Sequence, residues 1–288
     1  MIKTQLIAMN CALAGLFDYA GMFPPAELGL QNAVRSYQVY RRGMHAWALG
    51  CLVVRAKDLP ALHREMQTDM WNLRLSVVSA DSDLETIQQH LDYGLPIESI
   101  EVKNASRSQV APLKNRLPAG IAAYIELPVE LKDWDMAEAI ADAGMRVKLR
   151  MGGVTAEAFP EAASVALTLK ELSKRGLAIK ATAGLHHPLR STHPFTYRED
   201  SENGVMHGFV NLLCAAALVW FGGAKDEVVQ LLEEQDSQAW RVTADAIYWR
   251  GRHWSANELR EVRERFLKCV GSCSFAEPVR DLEALGWL

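Results

Sequence analysis

The apolar positions of this chain fall into short runs that alternate with longer amphipathic segments. The runs are rich in Val, Ile and Leu, and most lack strict alternation of apolar and polar residues, which is typical of parallel strands buried on both faces. They lie at 15–19, 46–54, 73–78, 97–102, 121–127, 145–149 and 177–181, with a weaker eighth run at 205–209. We therefore predict eight parallel strands.

The amphipathic segments between the runs have helix signals. The segments 25–42 and 156–175 each end at a glycine, which is preferred just after a helix. Further helices are predicted at 58–68, at 82–93, which opens with a capping box from Ser82 to Glu85, and at 133–143. Repeated strand-helix units predict an α/β fold, a (βα)8 TIM-type barrel. The rival, an open doubly wound sheet, usually has a Gly-x-Gly-x-x-Gly turn after its first strand, and this turn is absent here.

The C-terminal part breaks this rhythm. Residues 242–254 are predicted to form a strand pair that turns at 250–252, and Ser255 and Glu258 form a capping box for a helix to about residue 268. We expect a barrel at 1–236 and an α+β appendage at 237–288 packed on it. The aromatic residues of the appendage could cover a contact in a homo-oligomer; they are Trp240, Tyr248, Trp249, Trp254 and Trp287.

Composition narrows the class of protein. The 288 residues are 49% apolar and 23% charged with a net charge of −4, as in ordinary soluble domains. Nucleic acids and anionic membranes call for basic clusters, which the interspersed charges do not form, so we expect neither partner. The apolar stretches 6–17 and 209–221 are predicted as packed helices, since a membrane span needs about 20 residues. Five scattered cysteines favour a cytoplasmic protein without a disulfide framework.

Charge inside the apolar runs is the informative exception. Charged side chains are almost never fully buried unless they are paired, because desolvation costs several kcal/mol. Alternation along the strands places these charges towards the bore, near the carboxyl ends where barrel enzymes keep their chemistry. The residues are Glu101, Lys103, Glu126, Lys148, Arg150 and Lys180.

These charges allow two interpretations. In one, Glu126 bridges Lys103 and Lys148 in an ion-pair ring that only fills the bore. In the other, the charges form a substrate site, because the cations outnumber the anions and a cation surplus suits a carboxylate or phosphate. We favour a site for a small anionic substrate.

Two segments combine a strand lysine with glycine at the strand exit: VKLRMGG at 147–153 and IKATAG at 179–184. Between about residues 144 and 190 the chain resembles the Schiff-base aldolases of barrel fold, deoxyribose-phosphate aldolase in particular. The Gly-Gly motif comes first here, and Ala181 and Ala183 replace hydroxyl residues of that family. The resemblance implies that Lys180 forms an imine with a substrate carbonyl and that Lys148 lowers the pKa of Lys180.

Histidines cluster in and beside the segment 184–206, which has little regular pattern and is predicted to be a lid. We expect His186 or His187 to act as general acid or base, kept neutral by the nearby cations. Asp18 is expected at the rim of the barrel, or as a cap of the helix that follows it. Segment 271–274 is predicted to be a turn, and Cys273 has no identifiable base in the sequence.

We therefore expect an enzyme, independent of cofactors, with aldolase-like lyase chemistry on a small anionic carbonyl or sugar-like metabolite. The expected catalytic residues are Lys180, Lys148, Glu126, His186 and His187, and the expected substrate-binding residues are Asp18, Arg150, Lys103, Arg190 and His207. Two alternatives remain open. One is a metal-dependent hydrolase or isomerase that uses His186, His187, His207 and Asp18, and the other is a non-catalytic barrel that binds an anionic metabolite.

Overall fold

The computed structural model describes residues 7–65, 73–80, 83–103, 105–131 and 134–288. Eight parallel strands close into a barrel, which confirms the predicted (βα)8 fold class. In chain order they are β1 (Phe17–Tyr19), β2 (Leu49–Arg55), β3 (Leu75–Ser79), β4 (Ile97–Val102), β5 (Ala122–Leu127), β6 (Arg146–Arg150), β7 (Ile179–Thr182) and a last strand at Leu267–Ser272. Between β7 and that last strand lie β8 (Ser191–Pro194), β9 (Asn203–Met206), β10 (Trp240–Val242), β11 (Ala246–Trp249) and β12 (Arg252–Ser255), so the last strand is β13.

Helices surround the barrel and connect its strands. They are α1 (Ile7–Leu13), α2 (Leu30–Arg42), α3 (Leu59–Glu65), α4 (Leu84–Asp92), α5 (Arg107–Arg116), α6 (Asp135–Asp142), α7 (Ala162–Lys174), α8 (Phe209–Trp220), α9 (Lys225–Glu233), α10 (Ala256–Arg265) and α11 (Ala276–Ala284). The sequence analysis did not predict α5, which contains Pro112 and buries few apolar residues. The expected helix residues 66–68, 82 and 133, including Ser82 of the first capping box, lie outside the described residues.

The eighth barrel strand is β13, and the prediction of an eighth strand at 205–209 is wrong. β13 pairs in parallel with β1 on one side and β7 on the other, with Gly271 opposite Asp18 and Thr182. Its residues are almost all buried, whereas β9 is largely exposed. Lys268 and Gly271 interrupt the apolar residues of β13, so its sequence does not form a continuous apolar run and the strand was not predicted. The segment after residue 236 thus supplies one strand of the barrel. The division of the chain into a barrel at 1–236 and an appendage at 237–288 stays a prediction.

The segment that follows β7 differs from the predicted irregular lid. β8 and β9 form an antiparallel hairpin in which Ser191 lies opposite Met206. After the hairpin, α8 is buried along nearly its whole length, as its apolar sequence predicted. No helix in the described part of the chain is long and apolar enough to cross a membrane.

The C-terminal segment contains the predicted strand pair. β11 and β12 pair antiparallel, and β10 extends them to a three-stranded sheet. The capping box at the start of α10 is confirmed, since the Ser255 hydroxyl accepts from the Glu258 backbone N–H and the Glu258 carboxylate accepts from the Ser255 backbone N–H. α10 packs against α1, so this segment is joined to the N-terminal helix as well as to the barrel.

Candidate active site

The bore contains a network of ion pairs centred on Lys180. The Lys180 side chain is 1% exposed, and its Nζ lies 2.5 Å from Asp18 Oδ2 and 2.5 Å from Glu101 Oε1. Lys148 lies beside Lys180 in the strand register, and its Nζ is 2.7 Å from Glu101 Oε2 and 3.0 Å from Glu126 Oε2. Glu101 therefore bridges Lys148 and Lys180, whereas the ion-pair interpretation of the sequence had Glu126 bridging Lys103 and Lys148.

Hydrogen bonds complete this network at its base. The Ser76 hydroxyl donates to Glu101 Oε1 at 2.7 Å and accepts from the Ser99 hydroxyl at 2.8 Å. On the other side of Lys180, the Cys51 backbone N–H donates to Asp18 Oδ1 at 2.7 Å. Buried charges that are paired and hydrogen-bonded in this way fix the positions of their side chains. Asp18 is thus an anchor of Lys180 inside the bore, where the sequence analysis expected a substrate-binding residue or a helix cap.

The two carboxylates keep Lys180 charged. Burial by itself favours the neutral amine, but Asp18 and Glu101 hold the pKa of Lys180 well above its ordinary value. Burial likewise favours the protonated form of Glu101, but Lys180 and Lys148 hold the pKa of that carboxyl well below its usual range. The expectation of a lowered pKa for Lys180, with Lys148 as the cause, is therefore wrong. Lys180 pairs directly with two carboxylates, and these raise its pKa.

A cavity of about 270 Å³ opens above this network at the carboxyl ends of the strands. Lys103, Lys148 and Arg150 line one part of it, and His186 and Cys273 line another. A larger neighbouring cavity of about 660 Å³ shares Phe23, Val78 and Lys103 with it. The carboxyl ends of the strands are where barrel enzymes place their active sites, so we regard the smaller cavity, the bore cavity, as the candidate active site.

The bore cavity has a surplus of positive charge. Four cations, Lys180, Lys148, Lys103 and Arg150, face the three carboxylates of Asp18, Glu101 and Glu126, which leaves one positive charge over. Lys103 and Arg150 have no ion-pair partner among the residues that the structure describes. Arg150 Nε donates to the Gly152 carbonyl at 3.2 Å. Burial, followed by repulsion from Lys148, lowers the pKa of Lys103. A net positive charge at one cavity suits an anionic ligand, and one of the two cations without an ion-pair partner is a lysine with a lowered pKa.

The opposite side of the cavity contains a cluster built on His186. Its Nδ1 lies 3.1 Å from Glu277 Oε2, and both ring nitrogens lie 3.8 Å from Cys273 Sγ. The Tyr197 hydroxyl donates to Glu277 Oε2 at 3.0 Å and lies 3.4 Å from Cys273 Sγ. Burial would lower the pKa of His186, but its contacts with Cys273 and Glu277 raise it to about 10. The expectation of a neutral His186 is therefore wrong, because Glu277 outweighs the more distant cations.

His187 lies next to this cluster and outside the lining of the bore cavity. Its Nδ1 is 2.6 Å from Asp281 Oδ2, and its ring stacks on His193 with 3.3 Å between the ring centroids. Both rings line a separate small cavity of about 140 Å³. The structure thus separates the two adjacent histidines, and only His186 reaches the candidate active site.

Arg190 and His207 pair with each other away from the bore cavity. Arg190 NH1 donates to His207 Nδ1 at 3.1 Å, so the ring proton is on Nε2, which donates to the Pro160 carbonyl at 2.7 Å. Burial lowers the pKa of His207 to about 4, and the neighbouring Arg190 charge acts in the same direction. This pair links the hairpin to the segment before α7, and neither side chain lines the bore cavity.

The residues of the metal alternative do not converge. Asp18 binds Lys180, His186 contacts Glu277, and His207 lies between Arg190 and Pro160. Within the described ranges, no three His, Cys, Asp or Glu side chains are grouped so that they could hold a metal ion.

Several site residues escaped the sequence analysis. Ser76 is a polar residue in a buried apolar strand. It lies two positions before Val78 and therefore on the same face of the strand, the one that points to the bore, and this was a usable signal. Cys273 was considered and set aside for want of a base, and its partner Glu277 in α11 was missed. An eighth strand placed correctly would have put both at the carboxyl end of the barrel. Tyr197 belongs to the loop of the β8–β9 hairpin and had no local signal.

Comparison of the sequence with protein-family models and with curated proteins finds no match. Among solved structures, the chain is similar to the spore cortex-lytic enzyme SleL of Bacillus megaterium QM B1551, with a TM-score of 0.41 and 9% identity over 95% of this chain and 73% of that one. It is also similar to SleL of Bacillus cereus, with a TM-score of 0.41 and 12% identity over 95% of this chain and 74% of that one. At a TM-score of 0.41, neither similarity indicates a function.

Proposed function

We propose that this protein is an enzyme that acts on a small anionic carbonyl metabolite bound in the bore cavity. The observation that supports the proposal is the net positive charge of the bore, where Lys103 and Arg150 line one cavity and have no ion-pair partner among the described residues. A cavity of about 270 Å³ has room for a ligand smaller than the drug-sized molecules that fill pockets of about 300–1,000 Å³. Arg150 and Lys148 hold the anionic group of this ligand.

The proposed reaction is a lyase reaction through an imine on Lys103. An imine forms when a neutral amine attacks the carbonyl carbon and water leaves with the carbonyl oxygen. Lys103 is partly exposed to the cavity and its pKa is lowered, whereas the Lys180 ammonium is enclosed by two carboxylates. This assignment moves the imine from Lys180, which the resemblance to aldolases had indicated, to the lysine that can lose its proton.

Acid and base groups lie on both sides of the proposed imine. A protonated imine withdraws electrons, so the bond broken at the neighbouring carbon leaves its electron pair in an enamine. Glu126, which does not itself line the bore cavity, accepts or returns a proton through Lys148, and the His186 imidazolium, which does line it, donates one from the other side. Lys180 acts through Glu101 and Lys148, whose positions it fixes.

Reductive trapping tests the proposal. The protein is treated with sodium borohydride in the presence of small oxo-acids and phosphorylated sugars, and the modified peptide is identified by mass spectrometry. We expect an adduct on Lys103 that is lost in Lys103→Arg and retained in the exposed control Lys225→Arg. An adduct on Lys148 or Lys180 would contradict the choice of lysine. Binding without any adduct or turnover would favour a non-catalytic metabolite-binding barrel.

A further inference from the structure

The cluster of Cys273, His186 and Glu277 has a function that the imine does not require. Cys273 follows β13, and β13 is four places from β4 in the closed ring of eight strands. Cys273 therefore lies across the mouth of the barrel from Lys103, which follows β4, and both side chains line the bore cavity. A ligand held by the cations of the cavity lies between a lysine on one side and a thiol on the other.

The surroundings of Cys273 are those of a nucleophilic thiol. The Cys273 Sγ atom lies 3.8 Å from both ring nitrogens of His186, and Glu277 holds the same ring through Nδ1. A thiol beside an imidazolium reacts as a thiolate, because the neighbouring positive charge stabilises the sulfur anion. The Tyr197 hydroxyl, 3.4 Å from Sγ, adds a second polar contact to the sulfur.

The other buried cysteines lack this environment. Burial raises the pKa of the Cys51, Cys214 and Cys269 thiols, which keeps them protonated and unreactive. Cys273 is also mostly buried, but it borders the bore cavity, and through the cavity a small reagent can reach it. The cavity is lined by Lys103, Lys148 and Arg150, so a reagent that approaches Cys273 meets positive charge.

We propose that Cys273 is a nucleophilic cysteine, reached through the bore cavity, that reacts with small anionic electrophiles. The reacting form is the thiolate beside the His186 imidazolium, and its sulfur forms a bond to the electrophilic carbon. With a carbonyl compound, the π electrons move to the oxygen, which takes the proton from His186, so the product is a neutral thiohemiacetal. The proposal shares the anionic ligand of the proposed function, but it does not depend on an imine.

Competitive alkylation tests this inference on the whole protein without substrate. Iodoacetate and iodoacetamide transfer similar groups to a thiolate with loss of iodide, but only iodoacetate is anionic. The rate of alkylation at Cys273 is measured by peptide mass spectrometry for both reagents, and the ratio of the two rates is compared with that of free glutathione. We expect the rate with iodoacetate divided by the rate with iodoacetamide to be about tenfold higher at Cys273 than in glutathione, because the cavity cations attract the carboxylate.

Two variants separate the charge of the cavity from the chemistry of the thiol. Arg150→Gln is expected to lower the ratio by about threefold while the iodoacetamide rate stays unchanged, and the exposed control Lys225→Gln is expected to change neither. Glu277→Gln is expected to slow alkylation by both reagents, because His186 loses the carboxylate that keeps it protonated. Circular dichroism confirms that each variant is folded.

Three results would overturn the inference: no alkylation at Cys273, a ratio equal to that of glutathione, or unchanged rates in folded Glu277→Gln. The wild-type ratio alone decides the outcome if a variant does not fold. The alkylation test uses no carbonyl substrate, so it does not depend on the imine. If alkylation proceeds as expected and reductive trapping fails, the proposal of a nucleophilic Cys273 stands and only the imine on Lys103 is rejected.

Discussion

Replacement of Lys180 by methionine tests whether the bore network is a fixed structural element. Methionine has a similar length but no charge, so Asp18 and Glu101 would face each other as buried carboxylates without their shared cation. Removal of one partner of a buried ion pair costs about 3–5 kcal/mol, because the other charge stays in the protein interior. Lys180 serves two carboxylates, so we expect a loss near the upper limit, about 5 kcal/mol. This is a large fraction of the ~5–15 kcal/mol that stabilises a typical domain.

Urea unfolding, followed by tryptophan fluorescence, measures this loss. We expect the midpoint of unfolding to shift to a lower urea concentration, while the slope of the unfolding free energy against urea stays the same. Lys174→Met is the matched control, because Lys174 forms an exposed pair with Glu171 that is worth at most about 1 kcal/mol. The double variant Lys180→Met with Asp18→Asn should recover part of the loss, since it removes one uncompensated charge. The reasoning is refuted if Lys180→Met loses no more stability than Lys174→Met.

Two further predictions concern groups around the site. The pKa of His207 is about 4 in the folded protein against 6.5 for the free side chain, so the unfolded chain takes up a proton first as the pH falls. Neutral His207 therefore contributes about 3 kcal/mol to the free energy of unfolding above pH 6.5, and this contribution is lost as the pH falls towards 4. Urea unfolding of the wild type and His207→Gln should show a steeper loss below pH 6.5 in the wild type, and parallel curves would contradict this. In Gly50→Ala the new Cβ would lie 2.3 Å from Asp18 Oδ1, which the network holds in place, so we expect a loss of about 1–3 kcal/mol in thermal unfolding. Gly251→Ala, where a Cβ meets nothing within 4 Å, is its control, and equal melting of the two variants would contradict the prediction.

The barrel and its charged bore were predictable because both follow from local periodicity. Apolar runs of strand length predicted seven of the barrel strands, and the alternation of side chains placed Glu101, Lys148 and Lys180 on the inner face. The failure at the eighth strand has a physical reason, since the apolar residues of β13 are interrupted by a lysine and a glycine, so its local signal is weak.

The partners of the site residues could not be read from the sequence. Asp18 and Lys180 are 162 positions apart, and His186 and Glu277 are 91 positions apart. The pKa values of Lys180 and of His186 depend on these distant carboxylates, so the sequence analysis found the cations of the bore but could not predict the direction of either pKa shift. Arg190 and His207 show the same difficulty, because nothing in their local sequence indicates that they pair with each other.

The central claim is that the bore cavity binds a small anion between Lys103 and Arg150. A crystal structure of the protein soaked with oxalate, a small anion with two carboxylate groups, tests it most directly. We predict that one carboxylate group accepts hydrogen bonds from Arg150 and from Lys103 or Lys148, and that this density is absent in Arg150→Gln crystals soaked in the same way. Oxalate bound only outside the bore cavity, with water between these cations, would contradict the account.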